Sequence, residues 1–476
     1  MYERQKRESV MLILKNFLTI SVIFALVAVL IFVIQGWVIN SRGETIQTGL
    51  VQFASNVSGA TVEVDEKTLS DKTNTKSQVI PGVHEFKIWR EGYETWYRKT
   101  SVKSGQILWL NYARLIPKNK RTQSFFEIEN IKTIKYSPDN KKTLVISEDS
   151  NKIARFWIIE LTESPKIIEI NLPEKLFERE LKDGEKYLSK IADNLTIDSL
   201  NENATRALLK WKDGEVEDWI LIDLNDASKS INLNDNFSSK FSKIKAQNKD
   251  YSKFYALSGG ELRELDFEGM TISANLLSGV VDFENYNENS LVFVRQEKTD
   301  QFSVGVFEKG KSAELLTKEL SSQPKIAIGR YYGENYVHIL NSQKLQIYKG
   351  SEWLGKNRPK LLKEIKIGFE SIGMTLNQED RIINVFSDNK TIIYDLETKD
   401  RYQINSGHLS WLDNFVLYDF NEGKMTVRDF DGSNVHEILE ASSSFGAMLS
   451  KDEKFIYAFK KKTDGKFELV RLKMIL

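Results

Sequence analysis

The chain of 476 residues has no cysteine. That excludes disulfides, thiolate metal sites and a cysteine nucleophile, but leaves the compartment open, since an exported protein can also lack cysteine. There is no charge of one sign either: 67 Lys and Arg balance 67 Asp and Glu. A general nucleic-acid binder needs a basic surplus, so nucleic acid is not an expected partner. Histidine is scarce. His84, His338, His408 and His436 are the four present, and no two share the i, i+3 or i, i+4 spacing of a local metal site. Gly-x-Ser-x-Gly, the phosphate-binding Gly-x-x-x-x-Gly-Lys-Ser/Thr and the dinucleotide fingerprint are all missing. The sequence therefore nominates no catalytic residue, cofactor or metal ligand, and the chain is not expected to be an enzyme. Proline is rare, with 7 residues against an aromatic content of 11%. Those aromatics suffice to fill a large folded core, and the length calls for more than one domain.

Phe17 to Ile39 carries no charge over 23 residues. As a helix it would extend roughly 35 Å, enough to cross a bilayer core of about 30 Å. A cleaved signal peptide is the main rival, but no small-x-small site follows the segment. Trp37 suits the membrane–water interface. Arg4, Lys6, Arg7 and Lys15 precede the span, and Arg42 is the first basic residue after it. The positive-inside rule then leaves residues 1–16 in the cytoplasm and residues 40–476 outside, with 17–39 in the membrane. Residues 40–49 read as a short polar linker.

Residues 50–117 alternate as strands do. Runs at Leu50–Ala54, Thr61–Asp65, Glu85–Trp89, Trp96–Val102 and Ile107–Ala113 are split by Gly-containing turns, the pattern of a small β-sandwich. The ordered set Ser58-Gly59-Ala60-x-Val62-x-Val64-Asp65, Pro81-Gly82-x-His84 and Gly92-Tyr93 resembles a PEGA domain. The family's Pro-Glu-Gly-Ala stands here as Val57-Ser58-Gly59-Ala60, and the Gly usual after the Asp is Glu66. The resemblance implies an envelope or surface module with no catalytic residues. Gly59 and Gly82 are expected at positive φ. Trp89, Tyr93, Trp96, Tyr97, Trp109 and Tyr112 read first as core. The sharper reading exposes Trp96 or Trp109 for stacking on glycan rings.

From 121 to 476 a strand–turn–strand–turn–strand unit recurs eight times. The clearest copy is Ile134–Ile146 followed by Ala154–Leu161. Later third strands are expected at 218–224, 261–267, 302–307, 344–348, 390–396, 424–430 and 467–472. The period, about 44 residues, is that of four-stranded β-propeller blades. Eight blades are expected, with seven as the alternative. Ser137-Pro-Asp-Asn-Lys141 and Ser450-Lys-Asp-Glu-Lys454 resemble the Ser-Pro-Asp-Gly-Lys turn of TolB-like and WD40-like propellers, an architectural likeness without chemistry of its own. The strand at 124–129 is left over and should complete the last blade, hiding its edge. Pro173–Lys182 and Gly184–Ala192, with Asn171 as N-cap, read as a helical insertion.

The expected class is an all-β ectodomain behind one transmembrane helix. The expected function is an extracytoplasmic interaction scaffold of the cell envelope whose propeller offers a protein-binding face. The alternatives are a glycan- or wall-binding surface protein and, behind it, an enzyme with a site in the central channel.

Overall fold

The computed structural model describes residues 2–39, 43–180, 186–188, 190–214 and 216–476. Its long N-terminal helix, Tyr2–Ile34, contains an apolar window, Leu14–Ile34, long enough to cross a membrane, with none of it buried. A signal sequence meets the same test of length and composition. The helix stops earlier than the expected 17–39 span. Gly36, at φ +73°, closes it, and its N–H returns to the Val33 carbonyl at 3.0 Å. Only glycine reaches this region without a Cβ penalty. Trp37–Ile39 then forms a strand that pairs with Thr45–Gln47. Part of the expected 40–49 linker is thus strand, and Gly49 already belongs to the next sheet. A Cβ there would lie 2.4 Å from Val102 Cγ1, so the close approach itself requires glycine.

The chain divides into two compact units, Met1–Asn119 with Leu476, and Lys120–Ile475. In the first, two sheets face each other. One holds Thr75–Val79, Gly49–Ser55 and Ile107–Ala113, the last two running parallel. The other holds Lys67–Thr68, Thr61–Val64, Gly82–Trp89 and Trp96–Val102. Alternate side chains turn inward, as a two-residue period dictates. Val51, Phe53, Val62, Phe86, Ile88, Trp96 and Leu110 meet in one core. The strand Thr75–Val79 was not foreseen, because its Thr-Lys-Ser-Gln-Val run is polar at a sheet edge.

Among the described residues, the second unit contains eight antiparallel sheets in succession, seven of four strands and one of five, in which Leu277–Ser278 also pairs with Glu261–Asp266. We number them 1 to 8, beginning with Ile131–Tyr136, Lys142–Glu148, Ala154–Glu160 and Lys166–Ile170. Their second strands are buried along most of their length, and Ile382–Phe386 in sheet 6 throughout, because both faces of a sheet are covered by neighbours. Apolar clusters join sheet 1 to 2, 2 to 3, 3 to 4, 4 to 5 and 5 to 6. Asn384 Nδ2 donates to the Leu409 carbonyl at 2.8 Å between sheets 6 and 7. The Ala447 N–H reaches Tyr418 Oη at 3.1 Å between sheets 7 and 8. Another cluster, with Val145, Ile159, Tyr457 and Phe459, joins sheet 8 to sheet 1. The succession is a closed ring, as the repeat period required. Closure is made as expected: Thr122–Ile128 pairs with Phe467–Lys473, so the first strand of the unit becomes the fourth of sheet 8. No sheet edge is then left without its outer strand at the seam.

The turns explain how a divergent sequence keeps its repeat. At Ser137, Asn201, Asn248, Asn377 and Ser450 a side-chain oxygen accepts the N–H five residues on, at 2.9 to 3.3 Å. The third residue after each cap lies at positive φ: Asn140, Ala204, Tyr251, Asp380 and Glu453. This is the position of glycine in the Ser-Pro-Asp-Gly-Lys turn. Ser and Asn serve because their short side chains reach the local backbone.

The expected helical insertion is replaced by something smaller. A 3₁₀ turn, Glu174–Phe177, follows Pro173 without a cap from Asn171, and a second, Ala192–Asn194, starts where the expected segment ends. Glu178–Glu180 then pairs with Lys186–Leu188; residues 181–185 and 189 lie outside the described set. The turn ends because Leu176 and Phe177 are pulled into the core between sheets 1 and 2.

Candidate functional site

The motif residues of the small sandwich are structural. Gly59 (φ +73°), Gly82 (φ +148°) and Gly92 (φ +85°) occupy turns or strand starts. Ala60 and Tyr93 are core residues, and Tyr93 bridges Pro117. Pro81 is half-buried beside Gly82. Asp65 and Glu66, at φ +48° and +68°, form the tight hairpin between Thr61–Val64 and Lys67–Thr68. Two positive φ values match the twist of a two-residue hairpin. The Asp65 carboxylate then accepts the Glu85 N–H at 2.9 Å and lies 2.5 Å from His84 Nδ1. The Glu85 N–H, and next the His84 ring, hold it below the usual carboxylate range. His84 Nε2 faces the Ile80 carbonyl at 2.7 Å. The histidine ties two turns together.

Of the two candidate stacking tryptophans, Trp96 is buried and Trp109 is exposed. Trp96 is 1% exposed and packs edge-on to Tyr112, with ring centroids 5.7 Å apart. Its parity with the inward residues Arg98 and Val102 turns it into the core. Trp109, 38% exposed, points outward from the three-stranded sheet. The residues missed are Trp89 and Tyr97, both outward on the four-stranded sheet. Trp89 Nε1 donates to Glu63 Oε1 at 2.8 Å. Its position just after the inward pair Phe86 and Ile88 was the available signal.

In the ring, the first strands of sheets 1, 7 and 8 end around a cavity of about 550 Å³, beside the Asn377–Asp380 turn of sheet 6. Tyr136, Trp411 and Tyr418 supply aromatic walls, Leu412, Met448 and Leu449 apolar surface, and Asn140 and Gln378 amides. Burial pushes both phenols upward, so they stay protonated. Tyr136 Oη donates to the Gly446 carbonyl at 3.4 Å, and Tyr418 Oη takes the Ala447 N–H. No Asp, Glu, His, Lys or Arg lines the cavity among the described residues. No group of three metal-ligating side chains occurs among them either. Sequence reading missed these residues because they converge only when the ring closes.

The histidines stand apart from this cavity. His338 is fully buried in the second strand of sheet 5, and neither ring nitrogen meets a protein partner among the described residues. Burial lowers its pKa to about 3, so the ring is neutral. His408 stacks on Phe386 at 4.2 Å, and burial lowers its pKa too. The acidic run at 223–226 is occupied locally: Asp223 Oδ1 accepts the Asn225 and Asp226 N–H groups.

A sequence-family profile described as the PEGA domain matches residues 48–116, covering the small sandwich. No curated protein matches the chain. Among solved structures, an uncharacterized Listeria monocytogenes protein is 12% identical with a TM-score of 0.42, covering 67% of this chain and 98% of that one. PorZ, described as an essential bacterial surface component of the type-IX secretion system of Porphyromonas gingivalis, is 12% identical with a TM-score of 0.40. That match covers 72% of this chain and 43% of PorZ. A functionally unknown protein of Desulfotomaculum acetoxidans is 10% identical with a TM-score of 0.36, covering 66% and 89%.

Proposed function

We propose that the protein is a membrane-anchored, extracytoplasmic interaction platform rather than an enzyme. The helix Tyr2–Ile34 holds it in the membrane, the PEGA-matching sandwich acts as a module close to the surface, and the ring offers one face to an envelope protein. The observation that supports this reading is the order along the chain: a membrane-length apolar helix, then a module of a kind found outside the cell, then a closed ring. A rigid ring presents many turns in fixed positions, which suits recognition. The test is in-cell crosslinking followed by solubilisation and mass spectrometry. One abundant envelope protein crosslinked to the ring supports the platform. No protein partner, together with turnover by the purified protein, overturns it.

A second reading rests on Trp89, Tyr97 and Trp109, which leave the sandwich outward. Exposed aromatic rings with a polar edge suit wall glycans. Recovery of wall material that is lost on replacing Trp89 and Trp109 by Ala would favour it over the platform.

A further inference from the structure

We propose that the cavity at the end of the ring's first strands is a binding site for a neutral saccharide, separate from the aromatic faces of the sandwich. Its volume, about 550 Å³, falls within the ~300–1,000 Å³ of ordinary small-molecule sites. The lining decides the chemistry. An anionic or cationic ligand would give up its hydration without meeting a counter-charge, because no ionised side chain lines the cavity among the described residues. A purely apolar ligand would cover the Asn140 and Gln378 amides and leave them unpaired. What fits is a ligand with hydroxyl or amide groups on its edges and C–H surface on its faces. A pyranose ring has that form.

Each part of the lining has a place in such a site. Asn140 and Gln378 make no side-chain hydrogen bond among the described residues, so their amides are available to ligand hydroxyls. Asn140 is aimed by its own turn: its N–H returns to the Ser137 carbonyl at 2.9 Å, with φ at +57°. Trp411, half-buried in the first strand of sheet 7, offers ring surface. Its indole N–H is buried and meets no acceptor among the described residues. Tyr136 and Tyr418 are fixed by their bonds to Gly446 and Ala447 on sheet 8, so two aromatic walls are set before any ligand arrives. Preorganised aromatic walls lose little entropy on binding. The Ser-Pro-Asp-Asn-Lys turn thus gains a use beyond closing a hairpin.

The test is isothermal titration of the full chain, held in a detergent without a sugar headgroup. The probes are a chitotriose and a maltotriose, both uncharged, with a glucuronate trisaccharide as the charged comparison. The expected result is one site per chain for at least one neutral probe, and none for the charged one. Trp411→Ala should weaken binding about tenfold or more. Asn140→Gly with Gln378→Ala should weaken it several-fold. Glycine suits the positive φ at 140 and Gln378 is exposed, so this double variant keeps the fold and decides the matter if Trp411→Ala does not fold. Trp109→Ala should leave binding unchanged. The proposal is overturned if neither neutral probe binds at millimolar concentration, if the charged probe binds better, or if binding survives the double variant. Loss of binding in Trp109→Ala alone would move the site to the sandwich and likewise overturn it. Displacement of a bound apolar peptide, with no saccharide effect, would assign the cavity to a protein partner instead.

Discussion

Two regions of the ring are held by different means. Between sheets 1 and 2, Phe177 stands between Phe156 and Trp211, with ring centroids at 6.1 and 5.7 Å. Leu195, Leu209 and Ile220 surround them. At sheet 6, Arg381 forks onto Asp395 with bonds of 2.6 and 3.0 Å and reaches Glu397 at 2.6 Å. Tyr331 of sheet 5 donates to the same Glu397 at 2.9 Å, and the guanidinium lies 5.6 Å from the Phe415 ring of sheet 7. Asp395 has a side chain only 1% exposed. The same fold thus accepts an apolar seam and an ionic one. The apolar seam tolerates partial loss, since neighbours collapse toward a gap. The ionic seam needs every partner, because a stranded buried charge has nowhere to go.

The largest effect should come from breaking the ionic seam. Asp395→Ala leaves Arg381 without its bidentate partner and should cost about 3–5 kcal/mol. The double variant Arg381→Met, Asp395→Leu should recover most of that loss in denaturant titrations. A double variant as unstable as the single would show that the seam is not a matter of paired charge. Phe177→Ala should cost about 3 kcal/mol, through lost transfer energy and a residual cavity. That loss should not vary with salt.

A third test uses acid. The pKa of His338 is lowered to about 3 in the fold, against an ordinary 6.5. Below 6.5 the unfolded chain gains a proton that the fold refuses, so stability is intact above that pH and falls on acidification until about pH 3. The loss attributable to His338 should be about 2 kcal/mol between about pH 6.5 and 4.5. His338→Leu should flatten that part of the curve, and an unchanged slope would remove the assignment. The smallest effects belong to the turns. Glu66→Gly and Glu453→Gly relieve side chains held at φ +68° and +58°. Each should be worth no more than about 1 kcal/mol of stabilisation, because glycine also loosens the unfolded chain. Thermal melts of the two variants can rank the turns of the sandwich and the ring against each other.

Much of this architecture was legible in the sequence for a physical reason. Strands buried on both faces must be continuous apolar runs, so Leu144–Ile146 and Phe455–Phe459 announced themselves. The leftover strand near 124–129 could be placed because an open edge is costly. Where period or burial alone had to decide, the reading failed. The charged Glu-Lys-Leu-Phe-Glu-Arg-Glu run looked helical, yet Leu176 and Phe177 are drawn inward. Trp96 and Trp109 could not be told apart by composition, only by strand parity. The cavity was illegible, because Tyr136 and Tyr418 lie nearly 300 positions apart and meet only through ring closure.

The most direct test of the account exploits the missing cysteine. A single reporter, Thr463→Cys in an exposed turn of sheet 8, can be compared with Ser9→Cys ahead of the apolar window Leu14–Ile34. Intact cells are treated with a membrane-impermeant maleimide, and the membrane-bound full-length chain is recovered. The account predicts labelling of Thr463→Cys in intact cells and of Ser9→Cys only after permeabilisation. The reverse pattern, or recovery of labelled Thr463→Cys only as a released chain without its N-terminal helix, would contradict it.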